Sequence, residues 1–308
     1  MAEGKSTFNI ISEGEESTVL SEYIRKTPRA NAYQSEAQLE ESLICQLEKE
    51  GYDYLNIHSE EDLIANLRLQ LESLNHHPFT DAEWDKYYKE YLCNENEGIV
   101  EKTNKIQSDY IYPLKKDEND PGRNVILIDK ENVHNNKLQV INQYEIGSGR
   151  HNNRYDVTIL VNGLPLVHIE LKKRGVAIKE AFNQIDRYQR DSFWASSGLY
   201  NYAQIFVVSN GTDTKYYSNT TRFNWVDSQA RSHNKKNKTS NSFEFTSFWA
   251  DRKNKIIPDL EDFAATFLAP HTILNVLTKY CVFTSEKMLM VMVDQLFTKR
   301  TQLTEFYP

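Results

Sequence analysis

The strongest constraint on the fold is the dipeptide Asn162–Gly163, set between the apolar runs TILV (158–161) and LPLV (164–167). An Asn-Gly pair in that setting predicts a two-residue β-hairpin, because both residues accept the positive φ that a tight hairpin turn requires. The strands then read RYDVTILV and LPLVHIELKK. Alternation along the second strand puts Leu164, Leu166, His168, Glu170 and Lys172 on one face of a half-buried strand. Residues equally spaced from the turn face each other, so Asp156 stands opposite position 169 or 170. Asp156 and Glu170 therefore come side by side at a sheet edge, with Lys172 two residues further on.

Two adjacent carboxylates repel, and burial penalises both. A hard divalent cation such as Mg²⁺ removes that penalty, since it takes carboxylate and backbone oxygens. Beside a phosphodiester such an ion polarises the phosphoryl oxygen and acidifies bound water. A lysine ammonium next to it offsets transition-state charge. The bland alternative is a surface hairpin with Glu170 paired to Lys172 or Arg154. His168 reads as a packed, hydrogen-bonded core histidine.

The flanking sequence supplies the surroundings. SEAQLEESLICQLEKEGY (35–52) predicts a helix with Ser35 as N-cap, Gln38 closing a capping box and Gly51 ending it. Leu39, Leu43, Ile44 and Leu47 form its apolar stripe, with Glu40 at the edge. Two helices follow within 59–93, separated by HHPF, then a polar stretch with ENDPGRN as a turn. VILID (125–129) and LQVINQYEIG (138–147) read as strands. After the hairpin, AIKEAFNQIDRYQRDSF (177–193) predicts a helix with Ala181, Ile185 and Tyr188 on one face. Gln184 and Tyr188, four apart, stack on it. QIFVVSNG and TKYYSN read as a strand pair, the stretch to about 242 as a surface loop, and PDLEDFAATFLA and HTILNVLTKYCVF as helices.

Taken together, Asp156, the Glu170-x-Lys172 triplet and the Gln184/Tyr188 helix resemble the PD-(D/E)xK nuclease superfamily in its RecB-like branch. SEAQLEESLICQLEKEGY, RYDVTILVNGLPLVHIELKKRG, AFNQIDRYQRD and YNYAQIFVVSNGTDTKYYSN resemble more closely the nuclease domain of the R (HsdR) subunit of type I restriction enzymes, over about residues 20–285. The resemblance implies an Mg²⁺-dependent DNA endonuclease. Asp156 and Glu170 would bind the metal, Lys172 would be the catalytic lysine, and Gln184 and Tyr188 would shape the site or touch DNA. Glu40 matches the first-helix acid, with Glu36 and Glu41 as rivals. The implied partners are double-stranded DNA and the methyltransferase and specificity subunits of a restriction complex. ATP would enter only through a translocase region; this sequence has no GxxxxGK[ST] loop, and MLMVMVDQLFTKRTQLTEFYP (288–308) does not match the expected entry into such a motor. A stand-alone repair or recombination nuclease, and a non-catalytic domain keeping the nuclease fold, are the alternatives.

The fold expected is α/β: a restriction-endonuclease-like central mixed sheet of about five strands flanked by helices, with a helical insertion and a helical C-terminal tail. The divisions are an N-terminal arm (1–34), an endonuclease core (35–225, with the insertion at 59–93), a linker (226–257) and a helical segment (258–308). The 308 residues carry a net charge of −8, but binding depends on local patches rather than net charge. Lys173, Arg174, Lys179, Arg187 and Arg190 are the expected phosphate contacts, giving sequence-independent, salt-sensitive binding; Lys235, Lys236 and Lys238 form a second basic run. The three cysteines, Cys45, Cys93 and Cys281, lie far apart, which argues against a disulfide framework or a zinc site. No apolar run approaches the roughly 20 residues of a membrane span, and the polar, acidic N-terminus is no secretory signal. Cytoplasmic is the expectation.

Overall fold

The computed structural model describes residues 9–14, 17–22, 33–115, 122–148, 151–195, 197–219, 243–251, 253–283 and 289–291. Strands β1 (Asn9–Gly14) and β2 (Ser17–Glu22) pair antiparallel in the stretch read as a polar arm. Helix α1 (Glu36–Lys49) begins as its capping box dictates: Ser35 Oγ accepts from Gln38 N–H, and the Gln38 side chain accepts from Ser35 N–H. Gly51, at φ +100°, turns the chain into the short strand β3 (Asp53–Tyr54). Helices α2 (Glu60–Asn75) and α3 (Asp81–Tyr87, extended by a π turn to Leu92) fill the two helical stretches expected before residue 93.

The next helix, α4 (Ile99–Gln107), stands where the sequence reads only as a polar stretch. Its inward face carries Lys102, Thr103 and Lys105 beside Ile106, so apolar periodicity does not reveal it. The lysines bury their stems and bring their charge to fixed acceptors: Lys102 Nζ donates to the Gly198 carbonyl at 2.8 Å, and Lys105 Nζ to the Tyr91 carbonyl and the Glu97 carboxylate. Strands β4 (Ile111–Leu114) and β5 (Arg123–Ile126) then form a separate antiparallel pair. The strand expected over 125–129 thus begins earlier and ends at Ile126.

The central sheet has six strands rather than about five. It consists of β6 (Leu138–Ser148), β7 (His151–Val161), β8 (Leu164–Leu171), β9 (Ile205–Ser209), β10 (Thr214–Ser218) and β3, in the order β10-β9-β8-β7-β6-β3. β8 pairs parallel with β9, and β3 parallel with β6; the other pairs are antiparallel. Helix α5 (Lys179–Asp191) links β8 to β9 and packs on both, the connection a parallel pair requires. β8 is therefore interior and buried along its whole length, not the half-buried strand that alternation suggests.

The turn at 162–163 is as expected, with φ +52° at Asn162 and +82° at Gly163. Glycine is needed there twice over, since a Cβ would sit 2.6 Å from Leu67 Cα of α2. The polar run 220–242, including Lys235, Lys236 and Lys238, lies outside the described residues. Of the expected linker, Ser247 exchanges both backbone hydrogen bonds with Tyr216, covering the open side of β10.

Helices α6 (Leu260–Thr266) and α7 (Pro270–Asn275, with a π turn to Tyr280) join the same hydrophobic core through Phe263, Phe267, Ile273 and Leu277. The helix expected to run on through 283 stops at Tyr280. Cys281–Phe283 (β11) instead pairs antiparallel with Leu289–Val291 (β12), so the tail is not all helical. The β-branched and aromatic residues of CVF favour that extended state.

Candidate active site

The hairpin opens where the charged residues stand. β7 and β8 pair through Thr158↔His168 and Val157↔Ile169, and the next step of the register is Asp156 with Glu170. The ladder ends there. Instead of a backbone pair, Asp156 Oδ2 accepts the Leu171 N–H at 2.9 Å. The expected neighbourhood of the two acids is present, in the interior of the sheet rather than at its margin.

Glu170 has no exposed surface, and neither carboxylate oxygen has a hydrogen-bond partner among the described residues. Its near neighbours are Lys172 Nζ, 3.5 Å from Oε1, and His168 Nε2, 3.5 Å from Oε2. Lys172, not Arg154, is thus its cationic neighbour. The ammonium of Lys172 donates to the Leu171 carbonyl at 2.9 Å and lies 3.9 Å from Glu36 Oε1, while its backbone N–H, bonded to Ser209 O, ties this turn to β9. Burial pushes Glu170 up to about 8, with Lys172 opposing. Burial, and then the Glu170 charge, push Asp156 up to about 7 against the Leu171 N–H and Lys172. Burial holds His168 down to about 4, so its imidazole is neutral. His168 is a core residue as expected, among Tyr155, Phe193 and Tyr200 and 3.4 Å from Thr158 Oγ1, but its Nε2 turns to Glu170.

The Gln184/Tyr188 pair of α5 closes the site from a second element. Gln184 Nε2 donates to Tyr188 Oη at 2.5 Å, and that hydroxyl donates to the Arg154 carbonyl at 2.9 Å. Tyr188 thus anchors β7 two residues before Asp156.

Asp156 also lines a cleft of about 710 Å³ together with Glu36, Glu40, Glu41, Asn142, Gln143 and Arg154. Of the four acids of α1, Glu36, Glu40, Glu41 and Glu48, Glu40 alone is buried, and it shares the cleft with Asp156. Its two oxygens accept from the side-chain amides of Asn142 and Gln143 in β6. Burial raises its pKa above the usual carboxylate range, the two amides oppose this, and the Asp156 charge adds to it. Neither amide is evident from the sequence: β6 (LQVINQYEIGS) also carries Gln139 and Glu145, so the Asn142–Gln143 pair does not stand out.

Lys173, Lys179, Arg187 and Arg190 are exposed. Arg187 lies over the Tyr188 ring at 5.4 Å, and Arg190 pairs with Asp186 at 3.8 Å. Arg174 differs from these four in its surroundings. It is half-buried, donating from Nε to Gln34 Oε1 at 2.7 Å and from Nη1 to Thr212 Oγ1 at 3.0 Å. Its guanidinium ties the loop after β8 to neighbouring segments.

Asp156 and Glu170 suit a hard cation: two carboxylates, oxygen donors only, one of them without any hydrogen-bond donor. Among the described residues no three His, Cys, Asp or Glu side chains converge on a common point. A cation here would complete its shell with backbone, water or substrate oxygens, the habit of Mg²⁺ rather than of structural zinc.

The family model described as type I restriction enzyme R protein N terminus matches residues 33–225. The chain is 46% identical over 285 residues to the type I restriction enzyme EcoprrI endonuclease subunit of Escherichia coli, across 92% of this chain and 85% of that subunit. It is 35% identical over 267 residues to the SsaAORF53P endonuclease subunit of Staphylococcus saprophyticus, across 84% of this chain, and 34% identical over 268 residues to the SauCOLORF180P endonuclease subunit of Staphylococcus aureus, across 85%. The aligned part is 26% of each staphylococcal subunit.

Proposed function

The chain belongs to the family of type I restriction enzyme R protein N termini, and from that premise we propose that it is a divalent-metal-dependent endonuclease domain hydrolysing phosphodiesters of double-stranded DNA. The observation that carries this reading is the meeting of Asp156, Glu170 and Lys172 where the β7–β8 ladder ends, with both Glu170 oxygens lacking a donor.

In this reading Asp156 and Glu170 hold Mg²⁺, which supplies Lewis-acid polarisation of the phosphoryl oxygen and a water of lowered pKa. Lys172 contributes a fixed ammonium. Its bond to the Leu171 carbonyl and its 3.5 Å approach to Glu170 keep the charge beside the carboxylates, where it offsets negative charge building on the phosphate. Gln184 and Tyr188 act on the strand: the hydrogen bond to Arg154 O sets the height of β7, and with it the position of Asp156. Glu40 is the second acid of the cleft. Lys173, Lys179, Arg187 and Arg190 meet the DNA backbone, without base readout. Methyltransferase and specificity subunits would supply site choice, and an ATP-driven translocase region would govern when cutting occurs. The expected compartment is the cytoplasm; among the described residues no helix is long and apolar enough to cross a membrane.

The test is nicking of supercoiled plasmid by the purified chain in Mg²⁺, beside Asp156→Ala and Lys172→Ala. Activity lost in both variants supports the reading. If the wild-type chain is inactive, calorimetry with Mn²⁺ decides: binding lost in Asp156→Ala keeps the site, and absent binding removes it.

A further inference from the structure

β6 carries a backbone irregularity directly beside the site. Gln143 has φ +52°, a left-handed conformation that costs a glutamine energy and persists only where its surroundings enforce it. On either side the pairing with β7 is regular, Asn142↔Val157 and Tyr144↔Tyr155, so the position facing Gln143 is Asp156. Consecutive side chains of a regular strand point to opposite faces. Here Asn142 and Gln143 reach the same carboxylate, Asn142 Nδ2 donating to Glu40 Oε1 and Gln143 Nε2 to Glu40 Oε2. The left-handed residue is what lets two neighbours converge.

The arrangement is anchored from behind. Tyr54 Oη donates to Asn142 Oδ1 at 2.9 Å, which fixes that amide with its nitrogen toward Glu40. His58 Nδ1 lies 3.3 Å from the Gln143 carbonyl. Glu40 is held at a wall of the cleft that Asp156 also lines. A helix residue needing only to pack would not require two amides and a strained strand.

We propose that Asn142 and Gln143 are positioning residues of the nuclease site, an amide clamp that fixes the Glu40 carboxylate across the cleft from Asp156 so that it faces the cation. This rests on the metal-dependent reading above. Outer carboxylates and their partners change metal affinity by about 10- to 100-fold when removed.

The experiment is calorimetric titration of the full chain with Mn²⁺, with thermal melting of each variant. Gln143→Met should weaken Mn²⁺ binding about tenfold, and should add nothing in a Glu40→Gln background, because it acts through Glu40. Gln143→Asn tolerates the left-handed backbone but is one methylene too short; it should weaken binding like Gln143→Met, and it serves if that variant fails to fold. Binding lost in Asp156→Asn but unchanged in both Gln143 variants overturns the clamp alone. Binding absent in the wild type, or unchanged in Asp156→Asn, overturns the metal site and this inference with it.

Discussion

Among the described residues Glu170 is buried with neither carboxylate oxygen in a geometric hydrogen bond, and Asp156 beside it accepts the Leu171 N–H. In the unfolded chain both titrate near pH 4; in the folded chain burial raises Asp156 to about 7 and Glu170 to about 8. Between those limits the folded state keeps protons that the unfolded state has released. Stability is therefore full at the acid end and falls as pH rises toward 8. Thermal melting of the metal-free chain in EDTA should show a midpoint that declines from pH 6 to pH 8. Glu170→Gln should flatten that decline and raise the midpoint at pH 8. Mg²⁺ should raise the wild-type midpoint more at pH 8 than at pH 6, since it competes with protons for the same oxygens. A wild-type slope that Glu170→Gln leaves unchanged would remove Glu170 as its source.

At the scale of elements, the hairpin and α5 position the acids. Gly163 and Gly175 both have positive φ, +82° and +91°, yet only at Gly163 would a Cβ meet backbone; at Gly175 nothing lies within 4 Å. Gly175→Ala should cost about 1 kcal/mol from conformation alone, and Gly163→Ala roughly 2–3 kcal/mol because α2 must also move. Urea titrations of the two variants separate the contributions, and equal losses would contradict the packing argument. In α5, Tyr188→Phe keeps the ring in the core but removes the bond to Arg154 O. We expect about 1 kcal/mol of stability lost, with plasmid nicking slowed about tenfold or more; an unchanged rate would make the tyrosine a packing residue only. These elements were legible because each rests on local chemistry: a turn dipeptide, a capping box, an i, i+4 pair. Counting from the turn left Asp156 opposite 169 or 170, and the irregularity between Ile159 and Leu160, which the count does not show, carries the register to Glu170. Helix α4 was hidden because its buried face carries lysines that find carbonyls only in the folded chain. The interior position of β8 was hidden because its pairing with β9 joins strands separated by α5. Gln143 gave no sign either, since a left-handed glutamine has no sequence signature.

For the molecule as a whole the question is how a chain of net charge −8 engages a polyanion. The cleft beside Asp156 is lined by Glu36, Glu40, Glu41 and Glu48 against the one cation Arg154, so its net charge repels phosphate. Attraction must come from exposed cations near the site, and Lys173, Lys179 and Arg187 qualify, being exposed and in no ion pair among the described residues. Arg174 differs in that its guanidinium is already hydrogen-bonded to Gln34 and Thr212. Each phosphate neutralised by a cation adds about 0.9 to the slope of log K against log salt. Changing Lys173, Lys179 and Arg187 together to Gln should therefore weaken binding to a short duplex and reduce that slope by about 2 to 3. Arg174→Gln should leave the slope alone and lower the melting temperature instead. Fluorescence anisotropy over a range of salt, in Ca²⁺ to hold the acids occupied, gives both numbers. A slope that the triple change leaves intact would move the DNA path off α5, whereas a slope that falls with Arg174→Gln would mean that Arg174 exchanges its protein partners for phosphate.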